Sequence, residues 1–277
     1  MLVSIITINY NDKFGLEKTI KSVQNQTSLD FEHIIIDGNS TDGSKDVINK
    51  YKTQFSYFVS EPDSGVYQAM NKGIKAAKGD YVLFINSGDM LESKTVITNS
   101  ILEFENFDIV YGNLIIEKEN GESLLDSGPL DKEITLETLF FSTLNHPATF
   151  IKKTLFNTYG FYDESLKIVS DWKFFLITIG LNNILAKHID VTISRFNLLG
   201  VSSLNVDKRE QERTAVLKEL IPKLIYKDYV KAHKLKVEHN SDLIQKVLKL
   251  KKSYLSKKIL LIVIKMLLFF TNKNSNS

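Results

Sequence analysis

The chain has 277 residues, 43% hydrophobic and 25% charged, which is room for one large core with an appendage. It contains no cysteine, so disulfides, thiolate catalysis and cysteine-held zinc are excluded together, and any metal must be held by oxygen or imidazole. The net charge of +2 conceals a split: residues 1–204 carry 18 Lys and Arg against 26 Asp and Glu, whereas residues 205–277 carry 17 against 7, the pattern of a globular body joined to a segment that seeks an anionic surface.

The run V-S-I-I-T-I-N at residues 3–9 is apolar and β-branched, as in a strand buried on both faces. After a turn at Asn11 and Asp12, Leu16, Ile20 and Val23 recur at helical spacing. A second buried strand is predicted at 33–37, then a helix through Val47 and Tyr51, a short strand at 57–60, a helix at 66–78 and a fourth buried strand at 81–86. Strands alternating with helices across short connections predict an α/β fold with a mostly parallel, Rossmann-like sheet flanked by helices, whose ligands bind beyond the carboxyl ends of the strands. Further on, the pattern predicts a strand at 109–117 closed by a turn at Asn120 and Gly121, a short helix at 135–141 and a strand at 148–151. An amphipathic helix at 171–180, a strand pair at 184–196 and a helical tail from near Asp207 follow. No signal-peptide pattern precedes the first strand, so a cytoplasmic address is expected.

Three acidic turns follow predicted strands: D-G-N-S-T-D-G at 37–43, E-P-D-S-G at 61–65 and N-S-G-D at 86–89. In a parallel sheet these ends converge on one rim. Carboxylates gathered around a nucleotide repel it unless a divalent cation, or the base edge and ribose, absorb the charge, so coordination of a hard metal by Asp89 is a natural reading. Each turn taken singly is equally a capped turn, because Asp, Ser and Gly favour strand ends and helix N-caps whatever the function.

Taken together, the order and spacing of these segments resemble glycosyltransferase family 2. The resemblance runs through V-S-I-I-T-I-N-Y-N at 3–11, I-I-I-D-G-N-S-T-D-G-S at 34–44 and E-P-D-S-G-V-Y-Q-A-M-N-K-G-I-K-A-A-K-G-D-Y-V-L-F-I-N-S-G-D at 61–89. It continues with H-P-A-T-F at 146–150, G-F-Y-D-E at 160–164 and V-S-D-W-K at 169–173. It implies a glycosyltransferase-A fold, a nucleotide-activated sugar donor with UDP as the default, a divalent cation (Mn²⁺ or Mg²⁺) and inversion at the anomeric centre. It also implies a catalytic domain over 1–204, divided into a nucleotide-binding half (1–92) and an acceptor-binding half (93–204), followed by a helical basic tail over 205–277.

Position by position, the resemblance places Thr7, Asn9 and Tyr10 at the first nucleotide-contacting strand end and Asp37, with Ser40 in the same turn, at the base edge. Asp63 and the helix start after Gly65 fit ribose or diphosphate, and Asn71 and Lys72 lie on that helix, at least one of them expected to face the donor. Asn86, Ser87 and Gly88 complete the donor set. Gly88 stands where the family more often has the first of two adjacent acids, which leaves Asp89 as the main metal ligand, with His146 as a second ligand or a diphosphate contact. Asp171 takes the general-base position, Trp172 is placed to stack on the acceptor, and Arg195 in S-R-F-N-L-L-G-V-S-S at 194–203 is a phosphate contact whose alternative is a surface ion pair.

The run I-L-L-I-V-I-K-M-L-L-F-F at 259–270 is shorter than the ~20 residues needed to span a bilayer as a helix. With its flanking lysines it predicts a helix resting on an anionic membrane surface, hence peripheral attachment at the inner face of the cell membrane, the alternative being a helix packed on protein. No recognised nucleic-acid-binding motif accompanies the basic tail, so nucleic acid is not expected as a partner. The G-x-G-x-x-G of dinucleotide oxidoreductases and the Gly-rich, Arg-containing loop of sugar-phosphate nucleotidyltransferases are both missing after the first strand, where N-Y-N-D-K-F stands. The expected function is transfer of a sugar to a glycan or lipid-linked saccharide in surface polysaccharide biosynthesis, the alternative being an inactive scaffold of a polysaccharide assembly complex.

Overall fold

The computed structural model describes residues 1–118, 121–130, 133–197, 205–239, 246, 249, 257–259 and 261–265. Asn120, residues 198–203 of the late segment and part of the apolar run at 259–270 therefore lie outside the described residues. The chain forms two compact units, Met1–Val216 and Leu217–Ser277.

In the first unit, strand β1 (Val3–Asn9) is buried along its whole length. Helix α1 (Lys13–Gln24) starts where the Asp12 carboxylate accepts the N–H of Gly15 at 2.9 Å, an N-cap that satisfies one of the free donors of the first turn. Leu16 and Ile20 of α1 pack with Ile35 of β2 (Phe31–Asp37) and with Val47 and Ile48 of α2 (Ser44–Tyr51). The next residue of the strand, Ile36, turns to the opposite face, where α3 (Val66–Ala76) lies so close that a Cβ at Gly73 would meet Ile6 Cγ2 at 2.4 Å.

Strands β3 (Tyr57–Ser60), β2, β1 and β4 (Tyr81–Phe84) pair in that order and all in parallel, with Asn9 opposite Asp37 and Asp37 opposite Ser60. This half follows the doubly wound expectation and brings its polar turns to one rim. Beyond β4 the sheet is mixed. It is built from β5 (Met90–Leu91), β6 (Ile109–Glu117), β7 (Ser123–Asp126), β8 (Thr149–Lys152) and β9 (Ala186–Asn197). Among the described residues the order is β3-β2-β1-β4-β8-β6-β9-β5, with β7 paired to β6. β8 runs antiparallel to β4 and β6, whereas β9 runs parallel to β6.

The strand pair expected at 184–196 is a single strand of 12 residues. It stays continuous because the register irregularity falls beside Gly112 of β6, where a Cβ would lie 2.4 Å from the Val191 carbonyl oxygen. The short helices α4 (Val96–Ile101), α5 (Leu136–Phe141) and α6 (Thr154–Tyr159) fill the second half. The helix expected at 171–180 is α7 (Ser170–Phe175), continued by a π-helical segment, Leu176–Leu181. Beneath α7 the rings of Phe174 and Phe156 stack at 4.5 Å, and Tyr162 bridges them to Phe84 of β4 and to Tyr67 of α3. Helix α8 (Val206–Leu220) supplies Glu212, whose carboxylate accepts the backbone N–H groups of Lys167 and Ile168 just before α7.

The second unit contains α9 (Lys223–His239), which exposes Leu224, Ile225, Val230 and Leu235. Ile259 and residues 261–264 are exposed as well. Among the described residues no helix is long and apolar enough to cross a membrane.

Candidate active site

The residues expected at the carboxyl rim divide into a buried layer and an open one. In the buried layer Thr7 donates from Oγ1 to the Ile85 carbonyl at 2.7 Å and accepts from Nε2 of His33 at 3.0 Å. Burial holds His33 down at about 3, hence neutral, so this pairing is part of the core. The Asp37 carboxylate accepts from Asn9 Nδ2 and Ser40 Oγ on one oxygen, and from Ser40 N and Ser60 Oγ on the other. Four donors fill its acceptor capacity. Thr7, expected at the nucleotide-contacting strand end, and Asp37, expected at the base edge, both have zero exposure and tie the strand ends together from below. Asn9 and Ser40 belong to the same knot.

The open layer sits above it. Tyr10 is 70% exposed, and its ring and the Asp63 carboxylate flank Gly38 so closely that a Cβ there would meet them at 3.1 and 3.2 Å. Lys72 reaches from α3 to Asp63 at 2.5 Å and to Glu61 at 2.8 Å. Asn71, by contrast, faces away from this layer. Its amide donates to the Tyr162 carbonyl and to Glu164 and accepts the Tyr162 N–H, which pins the 160–164 segment to α3. Of the Asn71 and Lys72 pair, Lys72 is therefore the one at the rim.

The third turn carries the sharpest electrostatics. Gly88 has φ +95°, and its N–H donates to Thr19 Oγ1 of α1 at 3.1 Å, while Ser87 N–H donates to the Ile8 carbonyl. A side chain at Gly88 would start 3.5 Å from Asp12 Oδ2, so a carboxylate from the β1–α1 turn stands beside the position where the missing acid would project. Asp89 is 4% exposed, and its Oδ2 has no hydrogen-bond partner, as is true of Asn86 Oδ1. Burial lifts the Asp89 carboxyl to about 7, with His146 pulling it down and Asp12 adding to the rise. Orphaned buried oxygens of this kind ask for a cation. Among the described residues, no three His, Asp or Glu side chains form a preformed metal cage. The donor set fits a cation that takes most of its ligands from phosphate and water.

Asp171, near the start of α7, is held by two donors. Tyr67 O–H donates to Oδ1 at 2.9 Å and His146 Nδ1 to Oδ2 at 3.1 Å. The other ring nitrogen of His146 lies 3.2 Å from Asn86 Nδ2. With the amide so oriented, Nε2 accepts and the proton sits on Nδ1. Both ring nitrogens are thereby engaged, and His146 links Asp171 to the turn that bears Asp89. Burial acts to raise the Asp171 carboxyl, but the hydrogen bonds from His146 and Tyr67 outweigh it and hold the group below its usual range. Burial and the Asp171 charge push the Tyr67 phenol well up, so it stays a donor.

Two further expected site residues have partners within the protein. Trp172 is 3% exposed, donates its indole N–H to the Leu139 carbonyl and has the Arg213 guanidinium 4.5 Å from its ring centre, so its face is covered. Arg195 is engaged by Glu92 and Glu117, at 2.9 Å each, in the ion pair that was its alternative. Sequence reasoning missed Tyr67, Asp12 and Arg213. Tyr67 lies within the quoted 61–89 segment, but its partner is 104 positions away. A cavity of about 300 Å³ opens beside Asp171 and His146, with Leu114, Ile116, Ile168 and Phe196 among its apolar walls.

Comparison with known proteins agrees with this geometry. The profile of Glycosyl transferase family 2 matches residues 4–159. A PGL/p-HBAD biosynthesis glycosyltransferase of Mycobacterium bovis is 30% identical over 219 residues, 76% of this chain and 83% of its own. The GalNAc(5)-diNAcBac-PP-undecaprenol beta-1,3-glucosyltransferase of Campylobacter jejuni is 32% identical over 170 residues, 58% of this chain and 55% of its own. In fold, S. aureus TarS 1–349 in complex with UDP-GlcNAc superposes with a TM-score of 0.64 at 19% identity, over 82% of this chain and 70% of that one. The mannosyltransferase PcManGT of Pyrobaculum calidifontis, in complex with GDP-Man and Mn²⁺, does so with 0.60 at 14% identity, over 79% and 64%. With the parallel first half of the sheet, the mixed second half and the family match over more than half of its length, the chain belongs to glycosyltransferase family 2 and has the glycosyltransferase-A fold.

Proposed function

We propose that this glycosyltransferase moves a sugar from a nucleotide-sugar donor, a UDP-sugar, to a hydroxyl of a glycan or lipid-linked saccharide in surface polysaccharide biosynthesis, with inversion and with Asp171 as the general base. The observation that carries the reading is the Tyr67–Asp171–His146–Asn86 chain of hydrogen bonds, which fixes an ionised carboxylate next to the turn of Asp89 and beside an open cavity. Inversion needs one base. Asp171 takes the proton of the acceptor hydroxyl while that oxygen attacks the anomeric carbon from the face opposite the diphosphate. The bond from the anomeric carbon to the diphosphate oxygen breaks, and its electron pair leaves with the nucleoside diphosphate. Tyr67 and His146 spend their protons on orienting Asp171, so its remaining lone pairs point to the incoming hydroxyl.

The donor is assigned to the 1–92 half and the acceptor to 93–204. Tyr10 offers an exposed ring face for the base, and Asp63 and Lys72 lie at the rim for ribose and diphosphate. Asp89, with Asn86 Oδ1 and Asp12 nearby, would hold a divalent cation, Mn²⁺ or Mg²⁺; when bound it neutralises charge on the departing diphosphate. The UDP-GlcNAc seen with TarS and the GDP-Man and Mn²⁺ seen with PcManGT support a nucleotide-sugar and a metal in this fold. The basic tail, with exposed Ile259 and Leu261, supports peripheral attachment to an anionic membrane surface from the cytoplasmic side.

A thermal-shift screen over UDP-, GDP-, dTDP- and CMP-sugars with Mn²⁺ tests the donor, because a ligand of the folded state raises its apparent stability. UDP-sugars should give the largest shift, and the shift should shrink without the metal. Proton NMR of the product formed from an α-linked donor should then show a β-linkage. An α-linked product would remove the single-displacement mechanism, and binding without any transfer or hydrolysis would return the scaffold reading.

A further inference from the structure

The cavity beside Asp171 also has a cationic lining. Arg209 and Arg213 of α8 both line it and, four positions apart, stand on one face of the helix. Arg213 is half-buried. Its guanidinium donates to the carbonyls of Leu139 and Ser142 and lies on the ring of Trp172, and no carboxylate pairs with it among the described residues. Burial accordingly pulls its pKa down, Arg209 adding to the fall while Glu210 and Asp171 oppose it. Among the described residues the Arg209 guanidinium pairs with its neighbour Glu210, at 3.3 Å, in a partly exposed pair. A guanidinium kept out of water with neutral partners alone is held at a desolvation cost that an anion would offset. Guanidiniums presented together on one helix face match the oxygens of a phosphate. The acids that act on Arg213 are Asp171, which lines the same cavity, and Glu210 on α8 itself. An anion in the cavity is therefore attracted by the two arginines and repelled by the base. The volume of about 300 Å³ admits a sugar ring with a small substituent, and the apolar wall of Leu114, Ile116 and Phe196 suits the face of a ring rather than bulk water.

We propose that this cavity is the acceptor subsite and that Arg209 and Arg213 hold a phosphate ester of the acceptor, so that the sugar receiving the new linkage carries a phosphate group. The proposal rests on Asp171 as the base, and it adds the chemical class of the acceptor.

The test has a binding arm and a transfer arm, both on the full chain. With the donor site saturated by UDP and Mg²⁺, line broadening of inorganic phosphate in ³¹P NMR should report a site in the wild type. Binding should weaken roughly ten- to hundredfold in Arg209→Gln and in Arg213→Lys, with UDP affinity unchanged as the control for folding. Phosphate binding that survives both substitutions, or that is missing from the wild type, overturns the subsite. In the transfer arm one sugar is offered as its 1-phosphate, as a prenyl diphosphate and as a methyl glycoside. The phosphorylated forms should have the lower KM, and whichever of the two is used better identifies a soluble or a lipid-borne source. Equal use of the neutral glycoside overturns the acceptor class. Intact phosphate binding combined with undiminished transfer by Asp171→Asn would remove the base and leave the subsite standing.

Discussion

Burial acts on Asp89 and Asp171 in the same direction, yet the two carboxyls end on opposite sides of their ordinary range because Asp171 has two side-chain donors aimed at it, whereas Asp89 Oδ2 has no partner. The sign for stability follows from proton counting. Between pH 3.8 and about 7 the folded, metal-free protein keeps a proton on Asp89 that the unfolded chain has lost, so this group makes stability fall as pH rises through that window. A rise of that size corresponds to at most roughly 4 kcal/mol. Asp89→Asn should therefore make the metal-free protein more stable at pH 8 than the wild type, and the gain should vanish near pH 4. It should also abolish the extra stabilisation that Mn²⁺ gives to nucleotide binding. Thermal melts across pH, with and without EDTA, check both; a variant less stable than the wild type at pH 8 would mean that Asp89 has a partner in the resting protein. Asp171 behaves in the opposite sense: its contribution is present above the unfolded carboxylate pKa and is lost as pH falls through its depressed folded value.

The elements show how those side chains are aimed. Glu212 of α8 accepts two backbone N–H groups in the approach to α7, at 3.0 and 2.9 Å. Glu212→Ala leaves both donors buried, which should cost about 2–4 kcal/mol for charge-assisted bonds and lower turnover more than donor affinity. Urea unfolding beside a kcat and KM comparison separates the two effects. Gly73→Ala forces α3 off the sheet at Ile6 and should cost about 1–3 kcal/mol by overpacking, measurable by the same unfolding. The parallel half was legible in the chain because β-branched runs and turns alternate there at short range. Depth was not. The resemblance places Thr7, Asn9 and Asp37 as nucleotide contacts; in the fold Asn9 donates to Asp37, and Thr7 bonds the Ile85 carbonyl and His33, all beneath the surface. Tyr67, Arg213 and the fate of Trp172 escaped because their partners lie far along the chain. The short β5, β7, α4 and α6 carry too few residues for a period to emerge.

At the scale of the whole molecule, the chain separates an acidic body from a basic tail. Deleting residues 255–277 should shift the protein from the membrane fraction of lysed cells to the supernatant while leaving donor hydrolysis by the purified protein intact. An unchanged membrane fraction would assign attachment to another surface. The body itself depends on a carboxylate, Asp171, held at the joint between the parallel half of the sheet and the mixed half. The most direct measurement is therefore a pair of constants for Asp171→Asn: turnover and donor dissociation, determined on the same preparation with the preferred nucleotide-sugar. Turnover should fall on the order of 10²–10⁴-fold while the donor Kd stays within about twofold of the wild type, a difference of roughly 0.4 kcal/mol. A variant that keeps most of its turnover, or that loses turnover only in proportion to lost donor binding, would contradict Asp171 as the base.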